Sequence, residues 1–517
     1  MLLRIALGTL LVLAALVALG LAVACGYVAL PFGLTVNFPG FSGDPIPESE
    51  LARRVQVPPG FHINTYAGGI ANARFLRFTP TGDLLVSAPR QGSVFLVERD
   101  ADGDGVADGQ RVLLADLNQP HGLALHQGWL YVAEGDAVLR VRFDAETGSI
   151  IGQPQRVVTG LPSGGNHWTR TVGIGPDDRL YVSVGSSCNN CVEDDPRRAT
   201  LLRYDLDGGG GEIYADGLRN AVGFAWQPGT GDLYATENGR DLLGDDFPPC
   251  ELNRIVSGGF YGWPYAHGDR VPDPSLGAAN AERVAASIPP AFNFGAHTAP
   301  LGITFHPGAT PTSAAGLPFS VAPAVRADFP PAWYSAAFVA EHGSWNRSTK
   351  VGYRVVALFF DATGGVRDKP FATGFVHDDA VSGRPVDVAF GPDGALYVSD
   401  DYTGAIYRIG YGAAARADAA PAPTAAARDP LAGLDAATVA AAAARGAALW
   451  EAHPCATCHV QAQAAANAYR PLQQLGARYD VDALATYLTA PQPPMPTYAF
   501  DDAQRRDLAV YLLRAFP

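Results

Sequence analysis

Basic charge is in short supply in this chain: 37 Lys and Arg stand against 51 Asp and Glu, a formal net charge of −14 over 517 residues. Binding a phosphate backbone needs concentrated Lys and Arg, so nucleic acid is excluded as a partner. Charged residues of both signs make up only 17% of the chain, while Gly (58) and Pro (41) are abundant. That balance favours many short strands joined by tight turns. Methionine is rarer still, with Met1 and Met495 alone. The six cysteines fall into unlike groups: Cys455 and Cys458 in CATCH, Cys188 and Cys191 in GSSCNNCVEDD, Cys250 in PPCELN, and Cys25 near the N-terminus. A prior of about 150 residues per domain divides a chain of this length into two to four.

One stretch lacks charge altogether. From Ile5 to Leu30 there is none, and Arg4 stands just before it. A signal peptide carries an apolar run of about 7–15 residues and a spanning helix about 20, so residues 1–32 predict an N-terminal transmembrane helix. Arg4 stays inside and the rest of the chain is exported. Cys25 also raises a lipoprotein reading, although Ala22 matches that signal poorly. In an exported chain, Cys188 and Cys191 read as a small loop disulfide and Cys250 as a part-buried thiol.

A repeat sets the fold. A strand, a Gly/Pro/Asp turn and a strand close to Leu-Tyr-Val recur in RFLRFTPTGDLLVSA, HGLALHQGWLYVAE, TVGIGPDDRLYVSVG, AVGFAWQPGTGDLYATE, PLGITFHPG…AAFVAEHG and PVDVAFGPDGALYVSDD. Each unit offers three or four short strands, which predicts an all-β six-bladed β-propeller over residues 50–412. The segment VQVPPGFHINTYAGG is expected to close the ring by pairing with the last blade. Residues 413–433 are Ala/Pro-rich and read as a semi-stiff linker. Residues 434–517 carry helical patterns at 434–449, 481–488 and 501–516, a small all-α domain.

That tail contains Cys455-Ala-Thr-Cys458-His459. Two thiols at this spacing add across the vinyl groups of a haem and leave His459 facing the iron. A zinc or redox pair is the alternative, and the adjacent His and the export signal count against it. The tail, with its closing DDAQRRDLAVYLLRAF, resembles class I cytochromes c, and the resemblance implies Met495 as the second axial ligand. A thioether opposite His raises the reduction potential.

In an antiparallel blade, the start of the innermost strand and the turn after the second strand share one face. The innermost strands begin near Arg74, His121, Asn166-His167, Arg219-Asn220, His297 and Arg384. The turns are SAPRQG, EGDA, GSSCNNC, ENGRD, EHGSWNR and SDDYTG. Polar residues therefore crowd one mouth of the channel, and Arg74, Arg219, Arg240, Arg347 and Arg384 imply an anionic ligand there. In DADGDGVADG, Asp100, Asp102, Asp104 and Asp108 alternate with Gly as in a Ca²⁺ loop; a structural Ca²⁺ and a solvated acidic turn both remain open, because the closing Glu of an EF-hand is absent.

GGNHWTRTVGIGPDDRLYVSVG, GLRNAVGFAW, ELNRI…GGFYGWP and GRPVDVAFGPDGALYVSDD resemble the glucose/sorbosone dehydrogenases, propellers that bind pyrroloquinoline quinone and Ca²⁺. HGSWNRS, CNNC and the haem tail look closest to the sorbosone dehydrogenase-like branch. The resemblance implies His167 as catalytic base, Arg219 and Asn220 as quinone contacts, Arg384 on a cofactor carboxylate and Arg347 as a further cation. Gly239 and Arg240 fall where main-chain carbonyls hold Ca²⁺; the soluble glucose enzymes have Pro at the second position. Those enzymes also carry two Arg before VDV, where this chain has Arg384 alone. His121 and His297 are divided between substrate contact and structural bond.

The resemblance thus implies a quinohaemoprotein dehydrogenase on the periplasmic side of the bacterial inner membrane. It would oxidise an aldose sugar or a sorbosone-like aldehyde and pass electrons through its own haem c to a respiratory quinone or cytochrome. Two other readings stand beside it: a Ca²⁺-dependent lactonase-like hydrolase, and a sugar-binding propeller attached to a cytochrome. Hydrolysis releases no electrons, so the haem motif counts against the first.

Overall fold

The computed structural model describes residues 37–308, 329–412 and 430–516, except 39, 41, 362, 432, 460–471, 473–474, 476–478, 490 and 492–494. The N-terminal apolar segment and most of the linker lie outside the described residues. Among the described residues, no helix is long and apolar enough to cross a membrane. The chain divides into two compact units, Met1–Arg416 and Ala417–Pro517.

The first unit is a six-bladed β-propeller. Its innermost strands are Leu76–Phe78, Leu123–His126, Val172–Ile174, Ala221–Trp226, Pro300–Phe305 and Pro385–Phe390, each leading an antiparallel sheet. Ring closure is as expected: Phe61–Ala67 forms the outer strand of blade 6, with Phe61 opposite Tyr411 and Ile63 opposite Ile409. Closure leaves the first and last blades without a gap between them.

The repeated GPD…LYV string has a physical cause. In blade 3, Tyr181 donates its hydroxyl to Asp177 of the turn (2.9 Å), and Arg203 of the third strand pairs with the same carboxylate (3.1 Å). Blade 6 repeats this with Tyr397 on Asp393 (3.1 Å) and Arg408 on Asp393 (2.7 Å). A Cβ at Gly175 or Gly391 would stand 2.5 Å from the tyrosine ring, so only Gly permits the turn.

At the axis, Phe75, Val222, Leu301 and Val386 pack together beneath the mouth. The innermost strands approach so closely that a Cβ at Gly223 would lie 2.0 Å from the Leu301 carbonyl. Asp387 accepts from the Leu76 amide (2.9 Å) and ties blade 6 to blade 1 at the centre. An insertion that the repeat does not foretell follows the third strand of blade 4. It adds Gly259–Phe260 to blade 3 in parallel, a hairpin (Ala266–His267 with Val271–Pro272) and the helix Ala281–Ala286.

The second unit contains helices Ala436–Ala452, Ala456–His459, Val481–Tyr487 and Asp502–Ala515. Asp435, Asp480 and Asp501 cap the three longer ones, the last through a capping box with Gln504. Gly446 allows the first and last helices to touch, since a Cβ there would meet the Asp507 carbonyl at 2.1 Å.

Candidate active site at one mouth of the propeller

Backbone bonds confirm that the innermost-strand starts and second-strand ends share a face: Arg74 N–H to Ser87 O (2.8 Å), His121 to Ala133 (2.9 Å), Asn166 to Ser187 (2.8 Å) and His342 to Ala299 (2.9 Å). His167 stands on this face. Its Nδ1 lies 3.1 Å from Ser186 O and 2.9 Å from Ser186 Oγ. Because Ser186 Oγ already donates to Cys188 O (2.7 Å), the proton must sit on Nδ1. Nε2 therefore carries the lone pair, and it has no hydrogen-bond partner among the described residues. Gly185 makes room, since a Cβ there would be 2.5 Å from His167 Cβ and 2.9 Å from Asn220 Oδ1.

The loop that carries His167 is clamped from beneath by two arginines. Fully buried Arg170 donates to His167 O (3.1 Å), Thr169 O (2.7 Å) and Pro162 O; Arg198 donates to Gly164 O (2.9 Å) and Ser163 O (2.5 Å). Neither forms an ion pair among the described residues. Burial, then the Arg219 charge, lowers the His167 pKa to about 3, so the imidazole is neutral well below its reference range.

The expected set of arginines is less free than their number suggests. Arg219 is buried and spends its guanidinium on Asn189 O and Oδ1, Asn238 O, Gly239 O and the Asp241 carboxylate (2.8–3.0 Å). Arg74 pairs with Asp401 (2.7 Å), Arg347 with Asp246 (2.9 Å) and Arg240 with buried Asp273. Arg384 differs. It makes only long bonds to the carbonyls of His342 (3.2 Å) and Gly343 (3.3 Å) and no ion pair among the described residues. The Asn220 side-chain amide likewise has no hydrogen bond among them.

Two other histidines of this face are buried. His121 is completely buried between Phe75 (4.4 Å) and Trp168 (5.8 Å), and His297 donates from Nε2 to the Gly244 carbonyl oxygen at 2.7 Å. Since a carbonyl only accepts, His297 Nε2 is the protonated nitrogen. The sequence reading named the strings EHGSWNR and SDDYTG but missed their key pair. His342 Nε2 meets Asp401 Oδ1 at 2.8 Å, and Asp401 Oδ2 takes Arg74. The signal was available: a His and a second acid directly after two Leu-Tyr-Val-type strands.

Glu237 and Glu251 face each other on adjacent strands of blade 4, both buried, beside a cavity of about 10 Å³ that Gly239, Arg240 and His267 also line. Burial raises both carboxyls, Glu251 to about 7. On the opposite face, Asp100, Asp102 and Asp108 bring carboxylate oxygens within 4.8 Å of one another; Asp104 is outside that set, accepting instead from Val106 N (2.8 Å). Cys188 and Cys191 form the expected disulfide and Cys250 is buried.

In the second unit, His459 ends the short helix with its N–H on Cys455 O (3.0 Å) and its ring 6.0 Å from Trp450. Met495 is half-buried against the core of Leu475, Leu484, Phe500 and Leu512. The side chain of Cys458 lies outside the described residues.

The family model described as TrAA12-like matches residues 55–247 and 271–411. The chain belongs to that family. A pyrroloquinoline quinone-dependent sugar dehydrogenase of Hypocrea jecorina is 26% identical over 305 residues, 48% of this TrAA12-like chain and 70% of that protein. A pyrroloquinoline quinone-dependent pyranose dehydrogenase of Coprinopsis cinerea is 24% identical over 456 residues, 72% of this chain and 56% of that one. A calcium structure of the Trichoderma reesei family AA12 enzyme matches with a TM-score of 0.59 at 23% identity, over 74% of this chain and 99% of that one. It shares the propeller fold.

The TrAA12-like mouth suits an anionic, planar ligand. Arg384 is a cation without an acid partner, and the Asn220 amide and His167 Nε2 are unused. Arg170 and Arg198 leave uncompensated positive charge beneath them. For Ca²⁺, the Gly239 carbonyl and the Glu237–Glu251 pair supply hard oxygen donors. The Arg240 cation next to Gly239 is neutralised by Asp273, which also holds His267 at 2.9 Å.

Proposed function

We propose that this chain is a quinohaemoprotein dehydrogenase that oxidises an aldose sugar or a sorbosone-like aldehyde hydrate. His167 carries the reading: its neutral imidazole, with Nδ1–H turned onto Ser186 and Nε2 open, is placed to take a hydroxyl proton. Pyrroloquinoline quinone, when bound, supplies a two-electron acceptor for the hydride, with Ca²⁺ as a Lewis acid beside it. Arg384 and the Asn220 amide would hold the quinone carboxylates, Arg219 would back the site by fixing the Asn238 and Gly239 carbonyls, and Gly239 would face the Ca²⁺. Arg347 extends the rim through Asp246.

Cys455 and Cys458 would hold a haem c, His459 and Met495 would ligate its iron, and the group would supply a one-electron relay to a respiratory quinone or cytochrome. His459 and Met495 share one small apolar unit, which suits that role. Residues 1–32 anchor the chain on the periplasmic side of the inner membrane. The test is reconstitution of the full chain with pyrroloquinoline quinone and Ca²⁺, followed by an aldose screen with a dye acceptor. Sugar-driven dye reduction supports the reading; lactone hydrolysis without electron release would replace it.

A further inference from the structure

Resting on the dehydrogenase reading, we propose that His342, held by Asp401, is a second proton acceptor of the mouth. It takes through Nδ1 the second proton set free when a carbinol is oxidised, and His167 takes the first. The balance is R–CH(OH)–R′ → R–C(=O)–R′ + 2 H⁺ + 2 e⁻. The two electrons would go to two equivalents of an external one-electron acceptor, with a quinone, when bound, supplying the two-electron relay. An imidazole accepts one proton, so a single base leaves one unassigned.

Two blades build the dyad and a third supplies the Arg74 that holds it. His342 opens the loop after the second strand of blade 5 (Ala337–Glu341), Asp401 follows that of blade 6 (Leu396–Asp400), and Arg74 begins blade 1. The neighbouring Asp400 is already committed to the turn, accepting from the amides of Arg384 (2.9 Å), Tyr402 (2.9 Å) and Thr403 (3.2 Å). Asp401 has no such duty. It meets His342 Nε2 at 2.8 Å and Arg74 at 2.7 Å, and these partners hold its carboxyl well below the usual range. The ionised carboxylate fixes Nε2 as the protonated nitrogen, leaves the Nδ1 lone pair unpartnered among the described residues, and stabilises the imidazolium that protonation would create.

The pair is within the same mouth as His167 and not a remote structural bridge. Arg74 lies 5.7 Å over the ring of Trp168, the residue after His167. Arg384, from blade 6, donates to the His342 carbonyl. The His342 side chain is 14% exposed, so a proton can reach it. Burial, then the Arg384 charge, lowers His342 to about 4, with Asp401 opposing and Arg74 adding to the depression. An anion seated on Arg384 cancels part of that charge and raises the basicity of Nδ1, coupling proton uptake to an occupied site.

Two measurements on the full chain test this. In the unliganded protein with ¹⁵N-labelled histidine, the His342 signals, assigned by their loss in His342→Gln, should show Nε2 protonated and Nδ1 bare. The reverse tautomer would overturn the proposal. In the loaded enzyme, rapid mixing should separate sugar-driven reduction from electron delivery to ferricyanide. His342→Gln should slow the second about 10–100-fold, toward the lower part of the range for a lost acid–base group, and leave the first within about twofold. Added imidazole should restore part of the loss. Equal slowing of both steps, or of neither, would refute the role; absence of sugar-driven reduction in the unaltered chain would instead refute the dehydrogenase reading. Should His342→Gln fail to fold, Asp401→Asn is expected to show the same split, and the tautomer of the unaltered chain can then be assigned by comparison with the other histidine variants.

Discussion

Replacing His167 by Gln removes the basic nitrogen at Nε2 while keeping a polar side chain of similar reach. The loss of a general base costs about 10²–10⁴ in rate, which is about 3–5 kcal/mol at about 1.36 kcal/mol per decade. Cofactor affinity should change little, because Arg384 and Asn220 remain. A graded control comes from Ser186. Its carbonyl and hydroxyl both contact Nδ1, and Ser186→Ala removes only the hydroxyl. A neutral hydrogen bond is worth about 1 kcal/mol, so that variant should lose about fivefold. Rapid-mixing measurement of sugar-driven cofactor reduction reads both numbers, and titration of the unloaded protein with pyrroloquinoline quinone reads affinity. A His167→Gln enzyme that reduces cofactor at the unaltered rate would refute the assignment. A tenfold weaker cofactor affinity with an unaltered rate would make His167 a binding residue instead.

Three further outcomes are expected. Glu251 is raised by burial to about 7, above its unfolded value, so the stability it contributes is present below the ordinary carboxylate range and lost as pH rises through about 7. Glu251→Gln keeps the neutral form, and its melting temperature should fall less between about pH 5 and 8 than that of the unaltered chain; parallel curves would show that Glu251 is not held neutral by burial. Met495→Ala should abolish the weak near-infrared charge-transfer band of Met-ligated ferric haem, and survival of the band would remove Met495 from the iron. A chain ending at Gly412 should retain dye-linked sugar oxidation but fail to reduce a membrane quinone or cytochrome, and undiminished reduction would show that the tail is not the exit route.

The periodic part of the fold was legible because its cause is local. In blades 3 and 6 the GPD…LYV unit needs its own Asp–Tyr bond and its Gly against the ring, so the string recurs in the sequence where that geometry recurs. The same locality exposed CATCH and the turn that closes the Cys188–Cys191 disulfide. Placing His167 and Arg384 at one mouth followed from strand alternation alone. The insertion between the third and fourth strands of blade 4 carried no repeat and could not be foreseen.

What the tertiary structure decided is which charges are spent. Asp241, Asp246, Asp273 and Asp401 stand far in sequence from the arginines they neutralise, which are four of the five that a sequence-based view of the mouth would draw as free cations. His121 and His297 are likewise enclosed by neighbours from other blades, an aromatic ring and a backbone carbonyl. The pairing of His342 with Asp401 joins loops of blades 5 and 6. A sequence displays which side chains a loop offers; Coulomb attraction and burial act only between groups that folding has brought within a few ångströms, so the chain by itself named the mouth, and the packed ring assigned its parts.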